Sequence, residues 1–473
     1  MLRSFVKNSF IYYLSNVLTK GISFFLLPFY TMMFSQGDYG ILEMISVLST
    51  FAIVIFSLQI QEGVGRYYNE LSSASEIRIY TSTVAYFVLS SFSGFFMLTL
   101  VFANQLSSLI SVNSELLVLA AASISLNGIF YFSQNQLTWK ILPLKQMICA
   151  LVYNLTTISL TILLVLKFKY GIESIFISQI IGAFIGTSLG WFFTRQDFGI
   201  VFSPIVLKKL LHFSLPMVPN AIGIYVFLII DRFCIEHFVG LEQLGLYSFS
   251  LKMASILSIV HLGMSTALAP LIYKHYKESD TPQKINSIFR YFSFLSFLAI
   301  AFIGIFSLQL THFLAGRSGY ENAILYVPIL LITLQFASLN QFFPGLIIAK
   351  KTKIISVISI GTGILNLAIN LLLIPNIGIL GACIAGIIST TLNLILIRHF
   401  ASKEYYIPLS MSKVFFNVIV ILLIAYSNIY YQLVWGIEVL LYVLFVIFTS
   451  MTFLNKHDLI LGGKLIKSWR NHK

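Results

Sequence analysis

The chain has 473 residues, of which 58% are hydrophobic and only 10% are charged, with a formal net charge of +13. Soluble domains carry about 25% charged residues, so the composition excludes a soluble globular protein and predicts a polytopic membrane protein. No motif that interleaves aromatic and basic residues accompanies the positive charge, so it does not read as a nucleic-acid footprint.

Cutting apolar runs of about 20 residues at charges, Gly and Pro predicts fourteen spans. They fall near 9–34, 38–65, 79–103, 115–137, 146–167, 173–194, 214–238, 244–271, 288–310, 322–348, 354–375, 378–397, 412–430 and 437–454. The N-terminal run shows no small-residue cleavage site and reads as a first span, not a signal peptide. With the N-terminus inside, 24 of the 30 Lys and Arg residues fall on inner segments and helix ends, and three (Lys167, Lys169, Arg317) on outer loops. That asymmetry predicts cytoplasmic termini in a cytoplasmic membrane. The last three, Lys20, Arg232 and Lys252, lie within spans.

Taken in order, the first span carries a polar stripe of Asn16, Lys20, Ser23 and Tyr30. Lys20 is about 16 Å into it at about 1.5 Å per residue, near the middle of a core about 30 Å thick. The second span ends with Glu62 and Arg66, four apart, which read as a local ion pair or, for Arg66, a first contact for cargo. The fourth span has a stripe of Ser123, Asn127, Tyr131, Gln134 and Thr138. Such stripes serve helix-to-helix hydrogen bonding, worth about 0.6 kcal/mol per bond, or line a cavity. Gly182, Gly186 and Gly190 form a close-packing face in the sixth span. Residues 196–213 form the longest inner connection, with an amphipathic linker from Pro204 to Phe213.

The seventh span holds Asp231 and Arg232 well inside the apolar stretch, where charges face a partner or a water-filled cavity. Asn220 lies on the same face, since eleven steps of 100° return to within about 20°. Arg232 can pair with Glu236 one turn on. The eighth span carries Ser248, Lys252 and Ser255; Lys252 cannot reach water easily, so a cavity-facing position is expected. His261 falls on the opposite side of that helix. Cys149, Cys234 and Cys383 read as small buried hydrophobes. The sequence contains no metalloprotease, phosphate-loop, paired-cysteine or nucleophile-elbow motif, so neither an enzyme nor a cofactor is expected.

Two halves of six spans share landmarks. Phe34-Ser-Gln-Gly-Asp-Tyr-Gly40 matches Phe238-Val-Gly-Leu-Glu-Gln-Leu-Gly245 in position, and Asn154-Leu155 then Gly171-Ile172 match Asn366-Leu367 then Gly378-Ile379. This predicts a parallel repeat of the kind alternating-access transporters use. The domains are then an N-lobe (1–195), the linker (196–213), a C-lobe (214–400) and a pair of extra spans with a basic tail (401–473).

Leu27-Pro28-Phe-Tyr30-Thr31 followed by Gln36-Gly-Asp38-Tyr39-Gly40-Ile-Leu42 resembles the opening of O-antigen and polysaccharide-export flippases. These belong to the multidrug/oligosaccharidyl-lipid/polysaccharide exporter superfamily. Asn370-Leu-Leu-Leu-Ile-Pro375-Asn376-Ile-Gly378-Ile-Leu-Gly381-Ala382 resembles the superfamily's second-half signature. The resemblance implies an all-α membrane protein with two six-helix lobes around a central cavity plus two extra helices. It implies a cargo of undecaprenyl-pyrophosphate-linked oligosaccharide in a bacterial cytoplasmic (inner) membrane. A glycan polymerase and a chain-length regulator would be its pathway partners. Basic residues recur in the first, second and eighth spans of such relatives; Lys20, Arg66 and Lys252 occupy them here, and Arg232 joins them as a contact for the anionic head group. Asn127, Tyr131 and Gln134 offer hydrogen bonds and a ring face to sugars. Asp231 is the candidate for proton or sodium coupling, or is held permanently by a neighbouring cation. Two alternatives remain: a multidrug exporter, which favours an acidic cavity for cationic drugs, and a glycan polymerase, which usually needs a long outer loop.

Overall fold

A computed structural model describes residues 26–71, 73–109, 112–315, 319–349 and 351–454, with Ile11, Leu14, Ser15, Leu18 and Gly21 before them. The regular structure of the described residues is helical. In chain order the helices are α1 (Leu27–Met33), α2 (Gln36–Ser57), α3 (Ile60–Tyr67), α4 (Ala74–Val101), α5 (Ala103–Leu109), α6 (Ser114–Trp139), α7 (Pro143–Leu166), α8 (Glu173–Thr194), α9 (Pro204–Ser214) and α10 (Val218–Val239). They continue as α11 (Leu241–Ala254), α12 (Leu257–His275), α13 (Thr281–Ile305), α14 (Ser307–Leu314), α15 (Val327–Leu339), α16 (Gly345–Ile348), α17 (Thr352–Ile377), α18 (Ile379–Glu404), α19 (Met411–Tyr431) and α20 (Trp435–Phe453).

Eleven described helices are long and apolar enough to cross a membrane, or twelve if the bent pair Leu241–Ala254 and Leu257–Met264, at 47°, is one span. The protein is a multi-pass membrane protein. The expected count of fourteen is not reached among the described residues, and most of the first expected span lies outside them. α10, 22 residues long, occupies the position of the seventh span. The chain divides into two compact units, Met1–Phe233 and Cys234–Lys473.

In the first unit, α2 starts at a capping box. Asp38 N donates to Ser35 Oγ and Ser35 N donates to Asp38 Oδ2, at 3.1 and 3.0 Å. Two otherwise orphan amides are satisfied there, which gives the Ser35–Asp38 segment of the opening motif a physical role. Ser73 and Glu76 do the same for α4. The second expected span, 38–65, is two helices rather than one. Leu58 and Gln59 both adopt left-handed backbone, at φ 48° and 53°, and end α2 before α3 begins. Neither is a glycine, so the break is held by its surroundings against local preference.

The glycine face of α8 packs as expected. A Cβ on Gly182 would lie 2.4 Å from Thr157 Oγ1, and one on Gly190 only 2.1 Å from Ser133 Oγ, so α8 approaches both α7 and α6 closely. The amphipathic linker is helix α9. Leu210 is fully buried against Ile60, Val64 and Val84, whereas Ile205 is exposed. A Cβ on Gly63 would sit 2.9 Å from Leu210 O, so α9 rests directly on the backbone of α3.

In the second unit α17 and α18 form the most closely packed pair, as α7 and α8 do in the first. The turn between them explains the second-half signature. Gly378 takes φ +59°, and a Cβ on Gly381 would meet the backbone of Leu373 and Ile374 at 2.7–2.9 Å. Polar side chains stitch the helices. Asn370 donates to Asn366, which donates to Ser389, each at 3.0 Å; Asn340 donates to Asn393, which donates to Thr362, also at 3.0 Å. The extra pair α19–α20 is tied in by Glu438, 1% exposed. Its carboxylate accepts from Asn428 Nδ2 at 2.8 Å and from Gln309 Nε2. The three cysteines are buried and form no disulfide among the described residues.

Gly381→Ala should lower the unfolding temperature in detergent, since overpacking against a neighbouring backbone costs about 1–3 kcal/mol. Gly361→Ala, facing open space within helix α17, should hold or raise it by up to about 1 kcal/mol of helix propensity. Equal shifts in the two variants would show that the α17–α18 approach is not what fixes Gly381.

Candidate functional site

The first unit encloses a cavity of about 380 Å³ between α2, α6, α7 and α8, a volume typical of small-ligand sites. Its polar surface is built mainly by one face of α6. Ser123, Asn127, Tyr131 and Gln134, spaced three and four apart, all line it. α2 adds Ser46 and Ser49, and α8 adds Gln179. The three residues expected to meet sugars are therefore brought together.

Part of this surface is already committed. Ser123 Oγ donates to Gln179 Oε1 at 2.7 Å, and Asn127 Nδ2 donates to Ser123 O at 2.9 Å. Thr138, the last residue of the stripe, donates to Gln134 O within its own helix. Gln134 Nε2 differs: it is buried and has no hydrogen-bond partner among the described residues, a condition that costs about 1–3 kcal/mol unless a ligand or water supplies an acceptor. Tyr131 is 44% exposed. The stacked rings of Phe130 and Tyr153, 4.8 Å between centroids, form an aromatic wall. Among the described residues, none that lines the cavity is charged.

The charged candidates lie elsewhere. Arg232 Nε donates to Glu43 Oε1 at 2.5 Å and Nη1 to Asp231 Oδ1 at 3.3 Å, and these side chains are 18–25% exposed. The sequence offered Glu236 on the same helix as the partner of Arg232; the structure adds Glu43, on α2 and 189 positions away. Glu43 was legible by the rule that drew attention to Asp231, being an acidic residue inside an apolar run. Arg66 is corrected more sharply. It pairs with Glu70 at 2.5 Å, both side chains more than half exposed, and not with Glu62. The chain continues past α3 through a single turn, Tyr68–Glu70, which carries Glu70 to the face of Arg66. Arg66 does not line the cavity.

Lys252 belongs to the second unit, on the exposed side of α11 one turn before the bend. His261, past the bend, meets Gln335 Oε1 at 3.0 Å. Lys20, Asn16 and Ser23 lie outside the described residues, as does the side chain of Asn220. A further ion pair was not foreseen: Lys140 grips both oxygens of buried Asp197, at 2.8 and 2.7 Å. Beside it, burial first and the Asp197 charge second push the Tyr68 phenol up to about 12.

The helical arrangement is similar to that of solved transporters of the MOP superfamily. An inward-facing multidrug resistance MATE family transporter superposes with a TM-score of 0.63 at 12% identity, over 82% of this chain and 94% of its own. A MOP superfamily transporter from Pyrococcus furiosus, described as having a binding pocket of reverse polarity, gives 0.54 at 14% identity, over 85% and 96%. At these identities the likeness is one of fold, which the protein shares with these structures. The chain belongs to the polysaccharide biosynthesis protein family, whose profile matches residues 5–276. A Haemophilus influenzae protein described as Lsg locus putative protein 1 is 22% identical over 299 residues, 61% of this chain and 71% of that protein.

Arg232→Gln should destabilise the protein more than Glu43→Gln. Removing Arg232 strands both carboxylates that face it, Glu43 and Asp231, whereas removing Glu43 leaves Arg232 beside Asp231. Thermal unfolding in detergent reads the order; equal losses in the two variants would mean that the carboxylates are held by groups other than Arg232.

Proposed function

We propose that the protein moves a lipid-linked oligosaccharide across the cytoplasmic membrane of a bacterium by alternating access. The cargo is an undecaprenyl-pyrophosphate-linked repeat unit of O-antigen or a related surface polysaccharide. The observation that carries this reading is the uncharged cavity of the first unit, with amide, hydroxyl and aromatic groups suited to sugars, in a chain of the polysaccharide biosynthesis family. A cationic drug would want a carboxylate there, and none of the described lining residues supplies one.

Asn127, Tyr131 and Gln134 contact the glycan, with Gln134 Nε2 donating to a sugar hydroxyl. Lys20 and Lys252 take the pyrophosphate, assisted by Arg66. Arg232 joins them only when Glu43 and Asp231 release it, which makes Asp231 the group through which a proton or sodium ion couples to the cargo.

Purified protein in liposomes with a labelled lipid-linked oligosaccharide tests this. Wild type should expose the label to an external enzyme, and Gln134→Leu should slow the exposure about tenfold, the value of one lost hydrogen bond at a buried site. Efflux of a cationic dye without flipping, or elongation of the glycan, would replace the proposal.

Asp231→Asn should leave flipping intact while removing its response to an imposed proton or sodium gradient. An unchanged gradient response in that variant takes Asp231 out of the coupling step.

A further inference from the structure

A second crevice, of about 340 Å³, opens between α4 and the end of α8. It shares no lining residue with the sugar cavity. Tyr86 and Leu89 form one wall, and Trp191 and Phe198, with rings 5.8 Å apart, form the other. The slot is built rather than incidental. Gly199 N donates to Ser82 Oγ at 2.8 Å, Ser203 N donates to Thr83 Oγ1 at 3.0 Å, and Arg78 Nη2 donates to Gln196 O at 3.4 Å. These bonds fasten the chain after α8 onto α4.

Two polar groups there lack a hydrogen-bonding or ionic partner among the described residues. Trp191 Nε1 is buried with no acceptor among them. Arg195, at the rim, has its guanidinium over the Phe192 ring at 5.3 Å and forms no ion pair among the described residues; Asp197, two positions on, is taken by Lys140. The chain beside the rim presents Ile200, 99% exposed, and Ile205, 82% exposed, followed by Lys208 and Lys209. Exposed apolar residues bordered by lysines suit the boundary between headgroups and acyl chains. α8 therefore places Arg195 at the membrane surface and Trp191 about one turn deeper.

We propose that this crevice is a binding site for one anionic phospholipid of the leaflet on the protein's basic side. One acyl chain lies between Leu89 and Trp191, and the phosphate sits at Arg195. An apolar slot with one uncompensated cation at its mouth matches a phosphodiester on a hydrocarbon chain and selects it over a zwitterion by charge. The assignment does not depend on the flippase reading.

The test uses the full chain in phosphatidylcholine vesicles, with Trp139, Trp435 and Trp469 replaced by Phe so that Trp191 reports alone. Brominated phosphatidylglycerol should quench Trp191 at about fivefold lower mole fraction than brominated phosphatidylcholine, the selectivity one cation gives at a membrane surface. Arg195→Gln should erase the difference and Arg195→Lys should keep most of it. If the tryptophan substitutions disturb folding, native mass spectrometry of the wild type and Arg195→Gln in mixed lipid reads the same preference. Equal quenching and equal retention of the two lipids would overturn the proposal. So would displacement by undecaprenyl phosphate with no preference for phosphatidylglycerol, which would assign the crevice to the carrier lipid.

Discussion

The approach of α8 to α6 and α7 along Gly182, Gly186 and Gly190 is the constraint on which the first unit's cavity depends. In hydrocarbon there is no hydrophobic drive between helices, so packing and hydrogen bonding must hold them together. Glycine lets the α8 backbone come close enough for Gln179 to reach Ser123, and that bond aligns the polar face of α6 with the serines of α2. The cavity that Tyr131 and Gln134 border lies between α8 and α2. Close contact at one edge and a void at the other follow from the same helix.

The second unit solves a related problem with different side chains. Its closest pair, α17 and α18, meets at Gly381 and is then stitched by asparagines. Glu438 does the comparable work for α20: its charge stays inside because amides from two other helices point at it. A carboxylate in that position is tolerated only with donors aimed at it, so Asn428 and Gln309 fix where α20 can sit.

Much of this was legible beforehand, and the misses have physical causes. The α6 stripe could be read because hydroxyl and amide residues at helical spacing in an apolar run leave few alternatives. The glycine face of α8 and the buried cysteines followed from similar reasoning. The break at Leu58–Gln59 was not legible, since neither residue is a Gly or Pro and the left-handed backbone there is imposed by packing. Arg66 was paired wrongly because the choice between Glu62 and Glu70 turns on whether the helix continues past Tyr67. Glu43 was overlooked as a lone acid, and only the fold shows that Arg232 meets it.

The absence of charge among the described residues that line the first unit's cavity has a consequence for solution behaviour. Neutral donors and acceptors present nothing for mobile ions to screen, whereas exposed charges lose most of their mutual influence beyond about 8 Å at physiological ionic strength. Occupancy of a site made of serine, asparagine, glutamine and tyrosine is therefore indifferent to added salt. Any step whose rate falls as ionic strength rises reports on Lys, Arg or carboxylate groups elsewhere in the chain, so ionic strength alone separates contact with this cavity from contact with the charged groups.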